Sequence, residues 1–352
     1  MIKTHLLKCF SVAACTVLIG FSAKAQQDPY FTHYMFNKQL FNPASVGAND
    51  KYCFAAISHY QYLGYEDRTP EFWGQSGNSL EPVKKVGPKT QGFSFSAPIM
   101  ARGKNHGGFG ISAMTDKLGY EMNTNLRVAG AYRFTVGAGN LAIGFDYGFL
   151  QKKYGSQFYA LAQNDPNVPI AGQAKLHKTV SAGVYYQNPT LNNLYVGIST
   201  TNMLPQNYSF GNNGTAVVST VRHYYITAGM EFPGFLGNGD LVFKPSVLYK
   251  YNVANQVDLT ALVEYQQRFS GGLAFRTTTD ALSLMIGYQF TKGTFEGLRV
   301  GYSYDITLSR IQRVSNGTNE LALNYCFTIT PPPPPIRIIL SPRFIKRDTK
   351  IE

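Results

Sequence analysis

Across residues 297–309, GLRVGYSYDITLS, apolar and aromatic residues (Leu298, Val300, Tyr302, Tyr304, Ile306, Leu308) alternate with small, polar or charged ones (Arg299, Gly301, Ser303, Asp305, Thr307, Ser309). A β-strand sends successive side chains to opposite faces. One face of this strand therefore suits an apolar phase, and the other suits water or packed polar groups. The run exceeds the usual strand of a soluble sheet and matches the length a tilted strand needs to cross a bilayer. The same period recurs. Leu141, Ile143, Phe145, Tyr147 and Phe149 oppose Ala142, Gly144, Asp146 and Gly148. Leu282, Leu284, Ile286, Tyr288 and Phe290 oppose Ser283, Gly287, Gln289 and Thr291. The pattern predicts fourteen strands, beginning near Lys51, Thr90, Gly107, Met122, Gly139, Leu176, Asn192, Thr220, Gly239, Gln256, Ser270, Ala281, Gly297 and Asn319. The ninth carries Pro245, which has no N–H for a ladder and predicts a bulge there.

The connections between these strands are not random in length. The even-numbered ones (residues 102–106, 136–140, 188–191, 233–238, 268–269 and 292–296) are all short. The three longest, residues 63–89, 154–175 and 204–219, are all odd-numbered. A bacterial outer-membrane barrel has an even strand count, short periplasmic turns and longer external loops. A soluble sandwich also alternates, but would carry loops of mixed length at both ends. The expected fold is therefore all-β: an antiparallel transmembrane β-barrel of about 14 strands, with both termini in the periplasm.

The ends of the chain fit an exported protein. Lys3 and Lys8 precede an apolar run at residues 9–21, too short to span a membrane, and Ala23-Lys24-Ala25 is a small-x-small cleavage pattern. Cleavage between Ala25 and Gln26 is expected; the competing reading is a lipoprotein signal ending at Cys15. This divides the chain into a signal peptide (1–25), an N-terminal plug or docking segment (26–50), the barrel (51–329) and a Pro-rich basic periplasmic tail (330–352). No other apolar run approaches a membrane helix.

Composition agrees. Charged residues make up 15% of the chain against roughly a quarter in soluble domains, and Tyr, Phe and Gly are abundant, as aromatic girdles and a crowded interior require. Loss of the three signal lysines takes the formal charge from +12 to +9. No nucleic-acid motif accompanies that excess; lipid or acidic envelope partners suit it better. His33, His59, His106, His177 and His223 are scattered, and no H-x-x-x-H pair occurs. No nucleophile with an oriented base is visible, so neither an enzyme nor a metal or cofactor site is expected.

The predicted lumen carries Arg127, Arg133, Asp146, Lys244, Lys250, Asp258, Glu264, Arg276, Arg299 and Asp305. Both signs are present, which favours structural ion pairing over the one-sign ring of a selective pore. Cys53 and Cys326 are the cysteines left after cleavage. They fall on the lumen face of the first and last strands, which must pair to close a barrel. A seam disulfide between them is a hypothesis that register decides.

The N-terminal segment reads QDPYFTHYMFNKQLFNPASVG. Asp28 is expected to cap a short helix with Pro29 at its first position, Tyr34, Met35 and Phe36 contribute to an aromatic stripe, and Asn42-Pro43 turns the chain toward strand one. It reads equally as a docking element and as a lid filling the barrel mouth. This segment resembles the start of the PorP/SprF family of the type IX secretion system, whose mature chains open with a run close to QDPxFTxYMFNxxxxNPAxxG. The likeness continues through residues 108–134, 273–290 and 299–327, and so spans most of the mature chain. Asn37-Lys38 stands where the family often has Asn-Pro.

The resemblance implies an accessory outer-membrane barrel of the secretion and gliding machinery. It would assist export or surface anchoring of a secreted, adhesin-like protein and contact periplasmic secretion or motor components. The alternative is a diffusion pore or transporter for small solutes. The chain also departs from the family by continuing past Phe327. Pro331 to Pro335 form a stiff spacer of roughly 15 Å at about 3.1 Å per residue. Beyond it, Arg337 and Arg343 belong to a basic stretch that reads either as a docking tail or as a disordered end.

Overall fold

The computed structural model describes residues 28–67, 84–85, 87–155, 172–211, 214, 216–252, 255–277 and 281–329. Fourteen antiparallel strands close a barrel: β1 (Tyr52–Tyr60), β2 (Lys89–Ala101), β3 (Lys104–Leu118), β4 (Glu121–Val136), β5 (Gly139–Tyr154), β6 (Ala174–Asn188), β7 (Leu194–Thr201), β8 (His223–Gly229), β9 (Leu241–Tyr251), β10 (Asn255–Tyr265), β11 (Phe269–Arg276), β12 (Ala281–Gln289), β13 (Leu298–Thr307) and β14 (Thr318–Phe327). Each pairs with its neighbours in sequence, and β14 returns to β1. Closure leaves no unpaired edge, which is what a bilayer demands of a sheet. Every strand starts within three residues of its expected position.

The alternation holds in three dimensions. Ile198, Tyr132, Phe145 and Ile286 stand exposed on the outer wall, whereas Ser181, Ser303, Asp305 and Glu320 are buried inside it. In β13, Tyr302 and Ile306 face outward; Ser303 and Asp305 face the lumen. Residues 61–88, 155–173 and 202–222 make the three long connections, all at one end of the barrel. Within the last of them Asn207–Phe210 pairs with Ala216–Ser219, and Tyr208 and Phe210 pack against Tyr154 of β5.

Pro245 behaves differently from the expectation. It does not shift the register: the ladder to β10 runs through Pro245↔Ala261 without interruption. On its other side the pairing with β8 ends at Gly229↔Ser246 and resumes, in the same register, at Phe232↔Phe243. The carbonyl of Pro245 accepts from Met230 N at 3.2 Å, so the missing N–H faces this gap. The register irregularity lies instead in the β2–β3 pairing, between Pro98 and Met100.

Residues 28–50 lie inside the barrel. Three 3₁₀ turns, Tyr34–Phe36, Lys38–Leu40 and Pro43–Ser45, fold them into a compact plug. Asp28 sits among Thr201, Tyr225 and Lys250, at the ends of β7, β8 and β9 that carry odd-numbered connections. Gly47 sits against Ser96, Asn105 and Arg133 at the opposite end. The plug thus runs the length of the lumen before β1 begins. Asp28 and Phe327 consequently lie at opposite ends of the barrel, and residues 28–50 fill the lumen where a short periplasmic segment was expected; the two chain ends lie outside the described residues. The apolar stripe, which reads from sequence as either a docking element or a lid in the barrel mouth, is buried in the lumen, with Phe31 and Tyr34 only 1–2% exposed.

Candidate functional site

The plug touches the wall on every side. On β1 it meets His59, whose ring lies edge-on to Tyr30 and Phe31. Ser94 of β2 donates to Asn37, and Asn105 of β3 donates to the Gly47 carbonyl. On β4, Arg127 and Arg133 donate to the carbonyls of Leu40 and Gly47. At β5 a Cβ on Gly144 would run into the Ala44 backbone, so only glycine admits the plug there. The carbonyl of Val184 on β6 accepts from Asn42, and Ser199 of β7 donates to the Phe41 carbonyl. Tyr225 of β8 donates to Asp28 at 2.8 Å, and Ser246 of β9 accepts from Tyr34 at 3.0 Å. Met35 and Phe36 pack on Leu262, Ala274 and Met285 of β10, β11 and β12. Asp305 of β13 accepts from Thr32, and Asn324 of β14 donates to the Phe36 carbonyl. Wall side chains thereby satisfy backbone groups that the irregular plug leaves unpaired.

Two charged clusters anchor the upper half of the plug, toward the long connections. Glu320, fully buried, accepts from the backbone N–H groups of Thr32 (2.9 Å) and His33 (2.8 Å) and bonds both the His33 and His59 rings at Nδ1 (2.7 and 2.9 Å). Beside it Arg276 pairs with Asp258 (3.3 Å) and Asp305 (3.2 Å), and its guanidinium lies 4.1 Å from the centre of the Tyr30 ring. Further ion pairs join Arg127 to Asp146 (3.8 Å) and Glu264 to both Lys244 (3.3 Å) and Arg299 (2.7 Å). Lys250 donates to the Asp28 carbonyl. All ten charged residues placed in the lumen by alternation are therefore there, and they pair with one another or hold the plug.

The expected docking residues turn inward. Asp28 caps no helix; its carboxylate accepts from Tyr225 and Thr201, and Pro29 lies outside any helical turn. The cap-plus-proline arrangement occurs instead at Asn42-Pro43. Asn42 Oδ1 accepts from Ala44 N at 2.9 Å, and Pro43 opens the third 3₁₀ turn. That turn precedes β1 by several residues, so Asn42-Pro43 does not lead directly into the strand. Cys53 and Cys326 are register partners in the β1–β14 seam and are joined by a disulfide. The cleavage residues Ala25 and Gln26 and the tail residues Pro331, Pro335, Arg337 and Arg343 lie outside the described residues.

The Glu320 cluster escaped sequence reasoning, although a signal for it exists. The register that sets Cys53 opposite Cys326 also sets His59 opposite Glu320. The contribution of His33 comes from the plug, and no local pattern points to it.

Between the plug and the short-turn end the lumen keeps a cavity of about 590 Å³. Lys38, Gln39 and Phe36 of the plug, Tyr185 and Tyr195 of β6 and β7, and the Glu231–Lys244–Glu264–Arg299 ion-pair chain border it.

No curated protein matches the chain. Among solved structures it is similar to a FadL homologue from Pseudomonas aeruginosa (14% identity, 86% of this chain and 96% of that one, TM-score 0.41). It is also similar to the outer membrane protein Omp33 from Acinetobacter baumannii (10% identity, 79% and 99%, TM-score 0.39). The family model for the type IX secretion system membrane protein PorP/SprF matches residues 23–325. A plugged, fourteen-stranded outer-membrane barrel is the form this sequence takes, and the chain belongs to the PorP/SprF family of type IX secretion membrane proteins.

Proposed function

We propose that this chain is a closed accessory barrel of the type IX secretion machinery, not an enzyme and not a solute pore. It would assist export or surface anchoring of a secreted partner while contacting periplasmic components. The observation that carries this reading is the plug, which engages all fourteen strands through residues 28–47. A lumen filled in this way offers small solutes no wide water path. By the loop-length rule the short-turn end faces the periplasm. The cavity, the seam disulfide and the end of β14 would then all face periplasmic partners, and residues 331–352 would extend the docking surface from there.

Single-channel recording in planar bilayers tests the closed barrel: no stable large conductance is expected, and a persistent open state would overturn it. Comparing surface-exposed protein in wild-type and deletion strains tests the accessory role. Loss of one or more secreted surface proteins is expected; unchanged export and anchoring would reject it. Removing residues 331–352 should weaken recovery of periplasmic secretion components with the barrel, and full recovery would remove the tail from the proposal.

A further inference from the structure

The cavity at the short-turn end has features that neither plugging nor barrel closure uses. Gln39 is 8% exposed, yet its side-chain amide has no hydrogen-bond partner for either Nε2 or Oε1. Neighbouring Asn37 accepts from Ser94, but its Nδ2 is also unpartnered. Both residues border the cavity. Buried polar groups are rarely left unpaired, and each such group costs free energy until something meets it. These atoms have no open surface, and Gln39 Nε2 lies against Gly110 of β3, so they sit in the wall behind the cavity and leave its recognition to the charged groups.

The charges set the requirement. Four cations border the cavity, Lys38, Lys51, Lys244 and Arg299, against three anions, Asp50, Glu231 and Glu264. Glu231 and Glu264 are engaged by Lys244 and Arg299. Lys38 pairs with no carboxylate among the described residues. Its ammonium donates to the Tyr185 hydroxyl at 3.2 Å and lies 3.5 Å from the centre of the Tyr195 ring. Two aromatic side chains and one unpaired ammonium form a cationic seat. Burial lowers the Lys38 pKa to about 8; the field of Glu231 raises it and that of Lys244 lowers it.

We propose that this cavity is a binding site for the C-terminal carboxylate of a peptide segment of a partner protein, received by Lys38 in a pocket whose bordering charges leave a cation in excess. The volume lies within the usual range of ligand sites, about 300–1,000 Å³, and capture of a terminal carboxylate is a recurring mode of peptide recognition. The plug closes the inner side, so the segment enters and leaves through the short-turn mouth. This rests on the periplasmic orientation argued above for its biological partner; the binding itself does not.

The test uses the purified full-length barrel in detergent and two probes, N-dansyl tetra-alanine with a free carboxylate and the same peptide as its C-terminal amide. Fluorescence anisotropy should show the acid binding more tightly than the amide by about tenfold or more at pH 7. The Lys38→Gln variant should lose that preference. The Lys38→Arg variant should keep it both at pH 7 and at pH 10, where the wild type, its lysine neutral, loses it. That pH contrast separates the seat from a mere folding defect. Equal binding of acid and amide, or no binding of either, would overturn the proposal. Carbodiimide coupling of the unliganded chain followed by mass mapping addresses the other occupant. A Lys38 amide to a carboxylate within residues 331–352 would assign the cavity to the chain's own tail and overturn the partner. Absence of that link, with the acid preference intact, supports the partner. A barrel that binds the acid but is dispensable for secretion would sink the proposed function and leave this site standing.

Discussion

At the scale of single residues, the lumen works because its charges have partners. Glu320 meets two backbone donors and two histidines while fully buried. Breaking a buried, hydrogen-bonded charge cluster costs about 3–5 kcal/mol, because the remaining groups stay desolvated. Glu320→Ala should therefore lower the temperature at which the barrel loses its compact, heat-modifiable gel mobility. An unchanged midpoint would show that the cluster does not hold the fold. Glycine matters where the plug meets the wall: a side chain at Gly144 collides with Ala44, and one at Gly108 with the Val46 carbonyl. Gly144→Val should displace the lower plug and admit intermittent conductance in bilayers; a fully closed variant would count against the plug as the seal. The lumen charges were legible one by one, because a period of two assigns each to a face. Their pairing was not, since Arg276 and Asp305 come from strands whose relative stagger no local pattern records.

At the scale of elements, the strands were legible; a plug was one of two readings of residues 26–50, and its internal fold was not legible. Strand positions follow from alternation, which is a local property, and even the short β8 is displaced by only three residues from its expected start. The plug has no regular period. Its 3₁₀ turns are fixed by contacts with all fourteen strands, information that exists only once the barrel is closed. Its one legible signal, an Asn-Pro cap, was read as a turn into β1, whereas it opens the last turn of the plug. Pro245 teaches the same lesson in the wall. Its missing N–H was visible, but a register can cross one absent bond when the flanking pairs agree.

At the scale of the whole molecule, the loop-length asymmetry predicts which end faces the cell exterior. Leu118 ends β3 at the long-connection end, and Ala138 lies in the turn at the other. A membrane-impermeant maleimide should label Leu118→Cys in intact cells and leave Ala138→Cys unlabelled until the outer membrane is permeabilised. The reverse pattern would invert the orientation. The Cys53–Cys326 bond ties the first strand to the last across 273 residues. Linking so long a loop contributes on the order of 2–4 kcal/mol. A Cys53→Ser, Cys326→Ser double variant should therefore unfold at lower temperature, and mass mapping without reductant should find the two residues in one linked peptide pair.

The position of Asp28 has a bearing on how the barrel is made. The plug precedes β1 in the chain, yet it spans the lumen from one mouth to the other, with bulky Phe31 and Tyr34 packed at its middle. A finished cylinder would have to be threaded from its short-turn mouth by an aromatic segment leading with its charged end. Wrapping the sheet around a segment already in place avoids that passage. On this account the segment that precedes β1 is also the mandrel on which the later strands are laid. The joining of β1 to β14, sealed by sulfur, would then be the moment at which the mandrel can no longer be withdrawn.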